Sequence, residues 1–100
     1  MLAKKEILKT ILSEREHILK YGVKRIGLFG SFIRNQQKET SDIDVLVEFE
    51  KGAKTFDNYM NLKFFLEETF RRKVDLVISD ALKPQIRERV LEEVVYAERS

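Results

Sequence analysis

Two carboxylates one residue apart, Asp42 and Asp44, open an otherwise apolar run, Asp42-Ile43-Asp44-Val45-Leu46-Val47. In an extended strand, residues i and i+2 project from the same face, about 6.5 Å apart. The two acids would therefore stand side by side while Ile43 and Val45 anchor the backbone. Hard oxygen donors in such an array suit Mg²⁺, which keeps several waters and shares phosphate oxygens. Asp75, between Val74 and Leu76, would add a third carboxylate if its segment is a neighbouring strand. Three clustered carboxylates repel and raise one another's pKa unless a cation lies between them.

The complementary chemistry lies upstream, in Gly30-Ser31-Phe32-Ile33-Arg34. A glycine at a strand-to-helix turn lets backbone approach a ligand closely, and N–H groups at a helix start attract phosphate oxygens. Ser31 adds a hydroxyl, and Arg34, one turn on, suits either a charge-assisted phosphate contact or a surface ion pair. An anion cradle beside metal-binding acids describes a site for a nucleoside triphosphate. The bland alternative makes Asp42 and Asp44 the solvent face of an amphipathic strand, but aspartate is disfavoured in strands. Ser31 also suits a helix cap.

These residues need elements to hold them. Ile7, Leu8, Ile11, Leu12, Ile18 and Leu19 recur at helical spacing, predicting one helix from about Ala3 to Lys20, with Gly22 as its stop. Val23 to Phe29 reads as a strand, Ser31 to about Asn35 as a short helix, and Asn35 to Ser41 as a polar loop. The period-two pattern of Asp42 to Phe49 predicts a second strand with one buried face. Glu50 to Ala53 turns the chain into a helix from Phe56 to Phe70, with Tyr59, Leu62, Phe65, Leu66 and Phe70 on one side. Val74 to Ile78 reads as a third strand, and Pro84 fits the first turn of a last helix running to about Ala97. The alternation α-β-α-β-α-β-α predicts an α/β (α+β) fold, a small mixed β-sheet flanked by helices.

Composition bounds the rest. One hundred residues fit a single domain spanning 1–100. The absence of cysteine excludes thiol chemistry and Cys-based metal sites. Nineteen basic against seventeen acidic side chains leave a net charge of +2. That balance lacks the basic footprint of a dedicated nucleic-acid binder, so no direct nucleic-acid binding is expected. No stretch is apolar enough to span a bilayer and the N-terminus lacks the pattern of a signal peptide, so the expected location is cytoplasmic. Neither a Walker-type phosphate loop nor a dinucleotide fingerprint is present.

Gly-Ser, ten residues, then Asp-x-Asp, with a later Asp in a strand, resembles the signature of the polymerase-β-type nucleotidyltransferase superfamily. The chain is similar to its smallest members, the minimal nucleotidyltransferase (MNT) proteins of prokaryotic HEPN/MNT toxin–antitoxin pairs. The likeness runs from Ile26-Gly27-Leu28-Phe29-Gly30-Ser31 through the Asp42 and Asp75 segments to Leu82-Lys83-Pro84 and the tail Glu92-Glu93-Val94-Val95-Tyr96. It implies a polymerase-β-like core in which Asp42 and Asp44 hold two Mg²⁺ ions and Asp75 serves the ion that activates the attacking hydroxyl. It also implies that Gly30 and Ser31 bind the triphosphate of ATP. The implied activity is transfer of AMP to a tyrosine of a HEPN ribonuclease toxin, with the chain acting as antitoxin. One departure is Asn35-Gln36-Gln37 after Arg34, where many relatives carry glycine and small residues.

Two other functions are compatible with the residues: a binding antitoxin that works by occlusion, and a small-molecule nucleotidyltransferase subunit. A chain this short supplies a catalytic core and little else, so the acceptor should come from another molecule. A hetero-oligomer is the expected assembly, with a homo-oligomer left open. Met60 and Phe64 lie outside the apolar stripe of their helix. Leu91 and Val95 likewise lie off the stripe of Ile86, Val90, Val94 and Ala97. Both pairs suit either further packing or a partner surface.

Overall fold

The alternation of apolar and acidic residues after the polar loop produces the central strand of the sheet. The computed structural model describes residues 2–98. Its helices are α1 (Lys4–Ser13), α2 (Arg15–Leu19), α3 (Phe56–Phe70) and α4 (Pro84–Glu93). Its strands are β1 (Val23–Phe29), β2 (Ile43–Phe49), β3 (Val74–Ile78) and β4 (Val95–Tyr96). They form one mixed sheet in the order β3-β2-β1-β4. β1 is antiparallel to β2 and β4, whereas β2 and β3 run parallel, joined through α3. The expected mixed sheet flanked by helices is thus the observed architecture.

The sheet is buried on both faces. Ile43, Val45 and Val47 of β2, with Val74 and Leu76 of β3, meet Ile7, Ile11, Ile18, Leu62 and Leu66 from α1, α2 and α3 in the main core. The opposite face is covered more thinly. There Leu46 packs with Val90 of α4 and Leu82, flanked by Phe29, Val77, Val94 and Tyr96. Strand alternation puts Asp44 on the same face as Leu46, and Asp75 on the same face as Val77. The acids therefore lie on the α4 side, at the strand starts.

Three boundaries depart from the sequence reading. The first helix is two, broken at Glu14 (φ −97°, ψ 15°), where the Ser13 hydroxyl donates back to the Thr10 carbonyl at 2.8 Å. The break leaves Ile7, Ile11 and Ile18 buried but Leu19 51% exposed. The helix expected over Ser31 to Asn35 is a single 3-10 turn, Gly30–Phe32, preceded by Phe29 and without a side-chain cap. Ser31 is therefore no cap.

The last helix stops at Glu93 instead of reaching Ala97. Val95 and Tyr96 pair with Leu28 and Gly27 along β1. Branched and aromatic residues fit a strand better than a helix end, and β1 would otherwise present an open edge. Gly27 permits the approach, because a Cβ there would lie 2.8 Å from Cγ2 of Val94 and 2.9 Å from the Val95 carbonyl oxygen.

The loop carrying the strand-opening acids is tied to the sheet. Arg72 Nη1 donates to the carbonyls of Lys38 and Ser41, each at 3.2 Å, with its guanidinium 5.4 Å from the centre of the Phe32 ring. Arg72 thus braces the loop against β3's entry. Asn35 has a left-handed φ of 59°. Asparagine tolerates that conformation better than most residues. Gln36 N then donates to the Ser31 carbonyl at 2.9 Å.

Candidate active site

Antiparallel pairing brings the end of β1 to the start of β2, and parallel pairing brings the start of β3 beside it. Phe29 lies opposite Asp44, and Asp44 lies opposite Asp75. Neighbouring strands are about 4.8 Å apart, so the last two side chains project as a close acidic pair. Asp42 immediately precedes β2 and is exposed, as is Asp75, whereas Asp44 is partly buried. Burial, then the charges of Asp75 and Asp42, push the Asp44 carboxyl from 3.8 to about 6, with Arg34 opposing and Glu93 adding to the rise. That is the electrostatic signature of a site that favours a cation.

Gly30 follows β1 with φ 79°. Its position is filled from the far side by the Asp44 carboxylate, into which a Cβ would intrude. The turn and the acids are thereby locked together through a residue without a side chain. Gly30, Arg34 and Asp44 line one cleft of about 210 Å³ together with Phe29, Ile86, Arg89, Val90 and Glu93. Asp75 stands beside Asp44 through their register, Asp42 lies two residues before Asp44 at the mouth of β2, and partly buried Ser31 follows Gly30 in the turn. All six residues singled out in the sequence thus converge on one end of the sheet.

A larger cleft, about 380 Å³, lies between the start of α3 and the end of β3, lined by Lys54, Phe56, Tyr59 and Ile78 among others. None of the clustered acids borders it, so size alone would misplace the chemistry.

The sequence reading missed the wall contributed by α4. Ile86, Arg89, Val90 and Glu93 recur at helical spacing and line the cleft. Glu93 accepts a hydrogen bond from Gly30 N at 2.8 Å, and its other oxygen accepts one from Arg34 Nη1 at 2.7 Å. Burial pushes the Glu93 carboxyl up, but the Gly30 N–H and the Arg34 guanidinium outweigh it and hold it below the usual carboxylate value. Arg34 Nε donates to Gln36 Oε1 at 3.1 Å, which gives Gln36 a role in orienting the arginine. The signal available in the sequence was an acid one to two turns beyond Ile86 and Arg89 on the same helical face.

Among the described residues, no three His, Asp or Glu side chains converge tightly enough to enclose a metal ion. The donors instead form an open edge of aspartates. Such an edge fits Mg²⁺, which is bound through one or two carboxylates together with substrate phosphates and water.

The family model "Nucleotidyltransferase domain" matches residues 5–97. Protein adenylyltransferase MntA of Thermococcus cleftensis is 38% identical over 97 residues, covering 96% of this chain and 97% of that protein. The solved structure of a candidate minimal nucleotidyltransferase is 38% identical and superposes with a TM-score of 0.72 over 88% of this chain and 93% of its own. A chain from a complex of tri-AMPylated Shewanella oneidensis HEPN toxin with MNT antitoxin shares the fold at 18% identity. It has a TM-score of 0.63, over 93% of this chain and 73% of its own.

Proposed function

Because the chain belongs to the nucleotidyltransferase domain family, we propose that it is a Mg²⁺-dependent protein adenylyltransferase. It transfers AMP from ATP to a tyrosine hydroxyl of a HEPN-type toxin and so acts as an antitoxin. The observation that carries this reading is the meeting of Asp44, Asp75 and the Gly30 turn at one end of the sheet. The Thermococcus relative named as a protein adenylyltransferase supports the transferred group. The Shewanella complex, with its AMPylated HEPN toxin, supports the acceptor class.

The chemistry needs a hydroxyl oxygen to bond to the α-phosphorus of ATP. The bond from that phosphorus to its bridging oxygen breaks, pyrophosphate leaves and the hydroxyl gives up its proton. Asp42, Asp44 and Asp75 would hold Mg²⁺, which supplies charge neutralisation to the attacking and leaving oxygens. Gly30, Ser31 and Arg34 bind and orient the triphosphate, the turn by close backbone approach and Arg34 by charge. Asp75 stands exposed at the outer side of the acidic edge, where the carboxylate faces an incoming acceptor. Phe29, Ile86 and Val90 give the cleft an apolar wall that shields part of the nucleotide from water.

Partner contact has uncovered surface available to it. Phe64 is 56% exposed, Leu91 39% and Val95 43%, so most of the off-stripe residues are left open by the fold, while Met60 is partly buried. Among the described residues no helix is long and apolar enough to cross a membrane.

Co-expression with a HEPN-type toxin from the source genome tests the reading. Wild-type chain rescues growth, and Asp42→Asn with Asp44→Asn fails to rescue at equal expression. Rescue by that double variant would favour neutralisation by occlusion.

A further inference from the structure

Glu93 ends α4, yet it grips two groups of the candidate phosphate site at once: the Gly30 N–H at 2.8 Å and Arg34 Nη1 at 2.7 Å. Its side chain is only 17% exposed, against 42% for Arg34. A guanidinium carries five N–H donors in a fixed plane. Glu93 and Gln36 engage one N–H each of Arg34, which fixes the plane of the group and leaves other donors for the cleft that Arg34 lines.

A staple needed only for folding would work with a neutral amide. Glutamine could accept from Gly30 without adding a negative charge beside Asp44, whose carboxyl Glu93 already disfavours in its ionised form. The charge favours the arginines it faces, Arg89 and above all Arg34, where it strengthens and orients the hydrogen bond.

We propose that Glu93 is a positioning residue for nucleotide binding, holding the Gly30–Ser31 turn and the Arg34 guanidinium in the geometry that receives a polyphosphate. This rests on the reading of the cleft as a nucleotidyl-transfer site. Glu93 touches no reacting atom; it acts through the two groups it holds.

The test compares full-length wild type, Glu93→Gln, Glu93→Ala, Arg34→Ala and the double variant Glu93→Ala with Arg34→Ala. Binding of Mg²⁺ with a non-hydrolysable ATP analogue, and of inorganic tripolyphosphate, is measured by calorimetry. Circular dichroism and the Gly30 amide resonance report the fold and the turn. Glu93→Ala is expected to weaken binding of both probes 10- to 100-fold. Glu93→Gln, which keeps an acceptor for Gly30, should recover part of that loss. The double variant should lose much less than the product of the single losses, a coupling that a merely structural residue would not produce.

Wild-type or tighter affinity in folded Glu93→Gln and Glu93→Ala overturns the proposal, since the carboxylate would then be a competitor for the phosphate's place. Independent, multiplicative losses overturn it too. A wild type that binds tripolyphosphate through Glu93 but transfers no AMP overturns the proposed function alone. A wild type that binds neither probe overturns both.

Discussion

The carboxylate of Asp44 fills the space that a side chain on Gly30 would enter, and Gly30 holds a φ of 79° that disfavours any other residue. One substitution therefore attacks both halves of the site. For Gly30→Ala the left-handed backbone alone costs about 1–2 kcal/mol, and the displaced carboxylate adds to it. Urea unfolding is expected to register that loss together with loss of nucleotide affinity. An alanine variant with wild-type stability and binding would show that the turn and the acid are not coupled.

Asp44 costs the fold stability at neutral pH. Its carboxyl is raised from 3.8 to about 6, so the folded protein holds this proton more tightly than the unfolded chain does. Stability contributed by the protonated form is full below pH 3.8, falls through the window up to about pH 6, and is absent above it. Asp44→Asn removes the ionised group and should stabilise metal-free protein at pH 7. Because the carboxyl is only partly buried, solvent screening reduces the gain to about 1–2 kcal/mol. The gain should vanish near pH 3.5 while activity is lost at every pH. Denaturant titrations at the two pH values check the sign.

Ligand linkage gives an independent readout. Mg²⁺ with a non-hydrolysable ATP analogue at one hundred times its Kd should raise unfolding stability by about 2.7 kcal/mol. The Asp42→Asn, Asp44→Asn chain should gain almost nothing from the same additions. Equal stabilisation of both chains would place nucleotide binding away from the aspartates.

A change far from the cleft separates fold from function. The Thr55 hydroxyl accepts from Asn58 N at 3.1 Å at the start of α3. Thr55→Ala should cost about 1 kcal/mol of stability with the transfer rate unchanged at a temperature where the protein stays folded. A rate that falls in step with the lost cap would tie α3 to catalysis.

What the sequence could yield followed from the range of the interactions involved. Asp42, Asp44 and Asp75 were legible because strand periodicity is local and the pattern Asp-Ile-Asp-Val records it. Gly30 and Ser31 were legible through their fixed distance from the acids. Glu93 was not, since its partners Gly30 and Arg34 lie 63 and 59 residues away and only tertiary packing brings them together. The helix expected to continue through Val94 yields to a strand because the open edge of β1, invisible in local sequence, competes for those backbone groups. Glu14 breaks the first helix without Gly or Pro to announce it, so hydrophobic spacing alone reads straight through.

The proposed transfer is measured most directly by following label from α-³²P-ATP, with Mg²⁺, to the product of the neighbouring gene and to HEPN-type toxins of the source genome. Label is expected on a tyrosine of a HEPN-type protein, abolished by chelation of Mg²⁺ and by Asp42→Asn with Asp44→Asn. Label that never reaches any such protein, or a double variant that transfers as well as wild type, would contradict the proposed function.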